Sequence, residues 1–210
     1  MNDVREAYNR WSAKYDSKIN LTRDLDRIIT KKTLIDLRFR SIVEIGCGTG
    51  KNTSFLSEIS SKVHAVDFSE AMIKQAKQKL NSENVMFSVS DIKERWMFDD
   101  RSADLITCNL VLEHIENISF IFSEASRILV KGGILFISEL HPFKQYLGAK
   151  ANFSIDGETV EIDSFIHHIS DFFNAAKVYG LAIEDFQEWW HEQDTNKPPR
   201  LVTFKFRKKI

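Results

Sequence analysis

The sequence predicts an α/β fold in three layers, built on a doubly wound seven-stranded sheet that is mostly parallel with an antiparallel last strand. Three observations predict it. Short apolar runs alternate with amphipathic segments from Ile42 to Ser138, glycines follow directly on the first run, and the last two apolar runs flank a loop holding Pro198 and Pro199. Parallel strands need crossover connections, and helices in those crossovers cover both faces of the sheet. The 210 residues, 43% hydrophobic and 28% charged, suit one globular domain around one core.

The elements follow in order. The stretch to about Leu37 reads as helical segments outside the sheet, with Tyr8, Trp11 and Tyr15 spaced to share one helical face. Ser41 to Ile45 is the first strand, and Asn52 to Ile59 a helix with Phe55, Leu56 and Ile59 facing inward. Lys62 to Val66 is the second strand; Ser69 caps a helix running to Leu80, whose buried face holds Met72, Ile73 and Ala76. Val85 to Val89 and Asp104 to Asn109 are the third and fourth strands. Phe120 to Leu129 is a helix that Lys131-Gly132-Gly133 ends before the fifth strand, Ile134 to Ser138. The alternation lapses from His141 to Asp163. A helix from Ser164 to Tyr179 follows, then a hairpin of Leu181 to Trp189 and Leu201 to Phe206, since Lys197-Pro198-Pro199 cannot continue a strand. Alternation sends Trp189 and Trp190 to opposite faces.

Composition excludes several classes. A formal net charge of -1 lacks the basic footprint of nucleic-acid binding. Two cysteines, Cys47 and Cys108, are too few for a disulfide framework or a paired zinc motif, which fits a reducing compartment. Met1 to Arg10 has no apolar core of a signal peptide, and no apolar run approaches the roughly 20 residues of a spanning helix, so the expectation is a cytoplasmic protein without a membrane partner. The six histidines lack a metal-ligand pattern such as His-Glu-x-x-His, and no metal is expected. The basic tail Arg207-Lys208-Lys209 reads as solvated.

Glu44-Ile45-Gly46-Cys47-Gly48-Thr49-Gly50 stands between a strand and a helix, where a nucleotide-binding turn belongs. Glycines there allow positive backbone dihedrals and let a ligand lie against the main chain. Asp67, 21 residues after Gly46 at the end of the second strand, can accept hydrogen bonds from both hydroxyls of an adenosine ribose. A nicotinamide-dependent oxidoreductase would use the same two features, so the later strands have to discriminate.

They do. Glu44-x-Gly46-x-Gly48-x-Gly50 resembles the first motif of the class I S-adenosylmethionine-dependent methyltransferases. Val66-Asp67-Phe68-Ser69, Ser90-Asp91-Ile92 and Asp104-Leu105-Ile106-Thr107-Cys108-Asn109 follow in that family's order and spacing. Leu112-Glu113-His114-Ile115 and Leu129-Val130-Lys131-Gly132-Gly133 extend the likeness to the branch with the ubiquinone and menaquinone biosynthesis methyltransferases. The resemblance covers roughly Ile42 to Glu139 and implies a Rossmann-like fold with S-adenosyl-L-methionine as donor and S-adenosyl-L-homocysteine as product. By it, Gly46, Gly48 and Gly50 approach the methionyl and ribose parts of the donor, Asp67 holds the ribose hydroxyls, and Asp91 with the Ile92 amide meets the adenine. Phe68 and Met72 pack on the adenine face, and Asn109 faces the methionyl end. Tyr8-x-x-Trp11-x-x-x-Tyr15-Asp16 resembles the aromatic stretch that in this branch folds over the site, which puts Tyr15 against the methionine carboxylate. The expected layout is then a helical lid over 1–37, a cofactor-binding core over 41–139, a substrate cover with its helix over 141–180 and the hairpin over 181–210.

Methyl transfer needs an aligned nucleophile and, where the acceptor carries a proton, a base. The candidates are His114, His141 and His168, with His167 and Glu139 as further ones, because each follows a strand's carboxyl end or lies in the atypical segment. The expected partner is a small, partly apolar organic acceptor, with O-, N- and C-methylation all open. A non-catalytic S-adenosylmethionine-binding protein would show the same motifs, since a ligand site does not establish turnover.

Overall fold

The computed structural model describes residues 4–17, 19–148, 152–155, 158–161 and 164–209. In chain order the helices are α1 (Val4–Trp11), α2 (Leu21–Leu34), α3 (Thr53–Glu58), α4 (Glu70–Lys79), α5 (Ile118–Ile128), α6 (Pro142–Tyr146) and α7 (Ile169–Val178). The strands are β1 (Ile42–Ile45), β2 (Val63–Asp67), β3 (Val85–Val89), β4 (Ala103–Asn109), β5 (Leu129–Leu140), β6 (Asn152–Ile155), β7 (Glu158–Glu161), β8 (Leu181–Trp189) and β9 (Leu201–Lys208). Seven of them form one sheet in the order β3-β2-β1-β4-β5-β9-β8, and β6 pairs with β7 apart from it. β1 to β5 are mutually parallel, while β9 runs antiparallel to both its neighbours. The expected sheet, including its antiparallel last strand and the β8-β9 hairpin, is present.

All four residues of β1 are buried, as a strand covered on both faces requires. The period of two then sorts the core. Ile42, Leu105, Ile134 and Phe136 pack with Leu34 of α2 and with Phe55 and Leu56 of α3. Val43, Ile45, Ile106, Leu135, Ile137 and Phe204 pack on the other side against α5 and α7. Three layers result. Chain direction reverses its crossover between β1 and β4, and this switch point brings the carboxyl ends of β1, β2, β3 and β4 to one edge.

Three elements depart from expectation. The strand β5 starts at Leu129, and Lys131-Gly132-Gly133 is a bulge inside it, because the pairing jumps from Ala103↔Leu129 to Leu105↔Ile134 with Gly132 at φ 75°. The helix α7 starts at Ile169 rather than Ser164. His168 precedes it and donates its backbone N–H to Asp171 Oδ2 at 2.8 Å, so the helix cannot extend further back. The stretch from His141 to Asp163 contains α6 and the β6-β7 hairpin, with 149–151, 156–157 and 162–163 outside the described residues. Among the described residues no helix is long and apolar enough to cross a membrane, and no cluster of His, Cys, Asp and Glu could hold a metal.

Candidate cofactor site and active site

β1 delivers the chain into the glycine loop. Gly46, Gly48 and Gly50 have φ of 68°, 53° and 80°. At Gly46 an added Cβ would stand 2.2 Å from Val111 Cγ2, so glycine is required twice, for the backbone angle and for the neighbour. The loop is pinned from β2. Gly48 N–H donates to Asp67 Oδ2 at 2.9 Å and Ser69 N–H to Oδ1 at 2.9 Å, while the Ser69 hydroxyl caps α4 by accepting from the Met72 amide. Asp67 is buried, and burial pushes its carboxyl up to about 6 against the pull of those backbone bonds. Beneath the loop, Thr53 donates to Glu44 Oε2 at 2.5 Å, and burial pushes the Glu44 carboxyl up to about 8.

A cleft enclosing about 1050 Å³, mouth included, opens over these strand ends. Around it the structure gathers Tyr15, Glu44, Gly46, Gly48, Asp67, Phe68, Met72, Asp91, Ile92, Asn109 and His114. Its roof is α1. Arg5 bonds Asp91 Oδ2 at 3.0 Å, the Tyr8 hydroxyl lies 2.9 Å from His114 Nε2, and Asn9 Oδ1 accepts from the Ser69 hydroxyl at 2.7 Å. The aromatic stretch is therefore docked on the β2-α4 junction, with Tyr8 and Tyr15 inside the cleft.

Two cleft residues on α2 escape sequence reasoning. Arg23 is buried, with its guanidinium 3.9 Å from the Tyr15 ring centre and Nη1 donating to the Tyr15 carbonyl at 2.6 Å. Asp26 Oδ1 accepts from Asn109 Nδ2 at 2.7 Å and Oδ2 from Asn52 Nδ2 at 2.9 Å; Asn109 also donates to Thr30 at 2.8 Å. Burial raises the Asp26 carboxyl. The signal was a polar stripe, Arg23, Asp26 and Thr30, at helical spacing beside the apolar Ile29.

Several expected site residues lie elsewhere. Gly50 sits in an adjoining shallower depression, where its Cβ would meet Ala76 Cβ at 3.3 Å; it serves close packing of the loop on α4. His141 is the N-cap of α6: Nδ1 accepts from the Phe143 amide at 3.1 Å and Nε2 donates to Glu188 at 2.8 Å, which leaves neither nitrogen for a substrate. His168 caps α7 and bonds the Tyr146 hydroxyl at 2.5 Å on the exposed surface. His167 Nε2 donates to the carbonyls of Ile115 at 2.7 Å and Leu112 at 3.1 Å. Glu139 is buried on backbone amides and does not line the cleft. Trp189 packs by α2 with its indole on Thr203, and Trp190 is half exposed, so neither lines the cleft. Of the histidines, only His114 lines it.

Residues 43–137, from β1 into β5, match a family model described as a methyltransferase domain. That stretch is similar to the class I S-adenosylmethionine-dependent methyltransferases. One relative in this family is a malonyl-[acyl-carrier protein] O-methyltransferase of Bacillus anthracis, 30% identical over 171 residues that cover 74% of this chain and 61% of the relative. Another is a demethylmenaquinone methyltransferase of Lactococcus lactis, 35% identical over 151 residues, covering 66% of this chain and 59% of the relative. The chain thus spans about three-fifths of the length of these methyltransferases. The same fold is seen in an N-methyltransferase of Bradyrhizobium japonicum in complex with S-adenosyl-L-homocysteine, with a TM-score of 0.74 at 15% identity and 99% of both chains covered.

Proposed function

We propose that this chain transfers the methyl group of S-adenosyl-L-methionine to a small, partly apolar acceptor, within a domain whose N-terminal helices act as a lid. The observation that carries the reading is Asp67, held by the glycine-loop amide at the rim of a cleft over the switch point. Two further features fit a ligand with a carboxylate that lies close to the main chain. Among the described residues, Arg23 Nε is buried with no partner and a Cβ at Gly48 would meet nothing within 4 Å.

The donor supplies an activated methyl carbon, which bonds to the acceptor's nucleophile as the carbon–sulfur bond breaks and its electron pair returns to sulfur. The residues do the rest. Gly46 and Gly48 admit the donor to the backbone, Asp67 accepts from the ribose hydroxyls, and Asp91 with the Ile92 amide meets the adenine between Phe68 and Met72. Arg23, rigidified on the Tyr15 ring, takes the carboxylate, and Asp26 with Asn109 faces the ammonium group. Tyr8 and Tyr15 exclude water from the cleft. His114, in contact with the Tyr8 hydroxyl, takes the acceptor's proton where there is one.

Isothermal titration with S-adenosyl-L-homocysteine and with NADH tests the donor. Saturable binding of the first alone supports the reading; binding of NADH alone, or of neither, overturns it. Tritium transfer from labelled donor to malonyl thioesters and to demethylmenaquinone then tests turnover, and binding without transfer to any acceptor would favour a non-catalytic binding protein. The pH dependence follows from Asp67. Only its ionised form accepts from both ribose hydroxyls, so affinity for S-adenosyl-L-homocysteine should be flat above about pH 7 and fall as pH drops through 6, approaching tenfold per unit. A profile that stays flat down to pH 5 would count against that role.

A further inference from the structure

We propose that Glu139 is a positioning residue: it holds the turn after β4 in the shape that seats Val111 against Gly46 and carries His114 into the cleft. The proposal rests on the reading of the cleft given above, but its geometry stands apart from any ligand. The pairing of Asn109 with Ser138 places Glu139, next along β5, beside the residues that follow β4. There the chain makes an unusual turn. Leu110, tied to the Ser138 carbonyl at 2.8 Å, has φ 57°, a left-handed conformation that costs a residue with a branched side chain.

Something has to offset that cost. A left-handed residue aims the following amides toward one point, and Glu139 Oε1 occupies it, accepting from Val111 N–H at 2.9 Å and Leu112 N–H at 2.8 Å. The far side of the turn is braced separately, by His167 on the Leu112 and Ile115 carbonyls and by Phe165 N–H on the Glu113 carbonyl at 2.7 Å. Between the two, a single 3-10 turn from Leu112 to His114 points His114 at the Tyr8 hydroxyl. Val111, at its start, fills the space that the missing Gly46 side chain leaves.

Glu139 does this as an acceptor, with no need of charge. Its second oxygen is buried without a partner among the described residues, and burial beside Glu113 pushes its carboxyl up to about 8. A glutamine reproduces the protonated acid, keeping Oε1 for the two amides. The test uses the full chain with Glu139→Gln and Glu139→Met, the second matching volume without an acceptor. Expected for Glu139→Gln are affinity for S-adenosyl-L-homocysteine within about threefold of wild type and Val111 and Leu112 amide protons that remain slow to exchange. Expected for Glu139→Met are at least tenfold weaker binding, fast exchange at those two amides and shifted His114 ring signals. Equal loss in both variants would overturn the proposal, because charge would then matter. So would wild-type affinity and His114 signals in Glu139→Met. If that variant fails to fold, exchange in the wild type decides: unprotected Val111 and Leu112 amides overturn the proposal. Because exchange is read without ligand, its outcome is separable from a failure of S-adenosyl-L-homocysteine to bind.

Discussion

Replacing Gly46 by alanine should abolish measurable binding of S-adenosyl-L-homocysteine and lower the melting temperature on the order of 10 °C. The new Cβ would need φ 68° and would stand 2.2 Å from Val111 Cγ2 and 3.3 Å from Val111 Cβ. The left-handed angle costs about 1–2 kcal/mol. Displacing a partly buried valine that a clamped turn holds in place costs about 1–3 kcal/mol more. Either the glycine loop or the turn at Val111 must shift, and both form walls of the cleft. Gly48→Ala is the contrasting case, because its Cβ would meet no described residue within 4 Å. It should fold nearly as well and lose affinity only where a ligand takes up that space. Thermal denaturation with titration of both variants checks this, and a Gly46→Ala protein with wild-type melting and affinity would show that the loop is not the donor's seat.

Asp67→Ala should weaken binding by about 2–4 kcal/mol, roughly 30-fold to 1000-fold, through lost hydrogen bonds to a charged acceptor. The structure adds a cost to the loop itself, since Gly48 N–H and Ser69 N–H both lose their acceptor. The effect on stability should be smaller than on binding. Burial has already raised the carboxyl to about 6, so at neutral pH the ionised group is held in the fold at an energetic cost that alanine removes. Titration at pH 7.5 with denaturation of the same samples separates the two effects. Affinity within threefold of wild type would remove Asp67 from the donor site.

The parts of this molecule legible in sequence are those where a local rule and the tertiary fold agree. Val43 and Ile45 against Ile42 display a period of two because β1 is covered on both sides, and Ser69 caps α4 where its position before a helical pattern says it should. Gly46, Gly48 and Asp67 were readable because backbone geometry dictates their residue types. The misplaced histidines had no such rule. His141 and His168 follow or precede elements near the site, yet each is consumed by capping a helix, a role that depends on Glu188 and Tyr146 far along the chain. The segment from Ser164 to His168 looks helical in its apolar pattern, but its backbone and His167 ring are spent on the turn at Leu112 to Ile115. Arg23 and Asp26 stayed hidden for the opposite reason. Their helix was legible, while the face it turns to the cleft is set by Asn52 and Asn109, which no spacing rule connects to it.

The place of β9 has a consequence for how the molecule is made. It is the last of the described strands, yet it lies inside the sheet, between β5 and β8. As a ribosome releases the chain, β1 to β5 can assemble in turn, but β8 has no sheet neighbour until residues 201–208 emerge. Meanwhile β5 offers an open edge to any passing strand. Phe204 and Phe206, which stack on each other, the first also stacked on Phe172 and the second set edge-on to Phe122, arrive only then. A nascent chain stalled before Leu201 should accordingly stay sensitive to protease and bind chaperones, and release of the next eight residues should close the domain in one step.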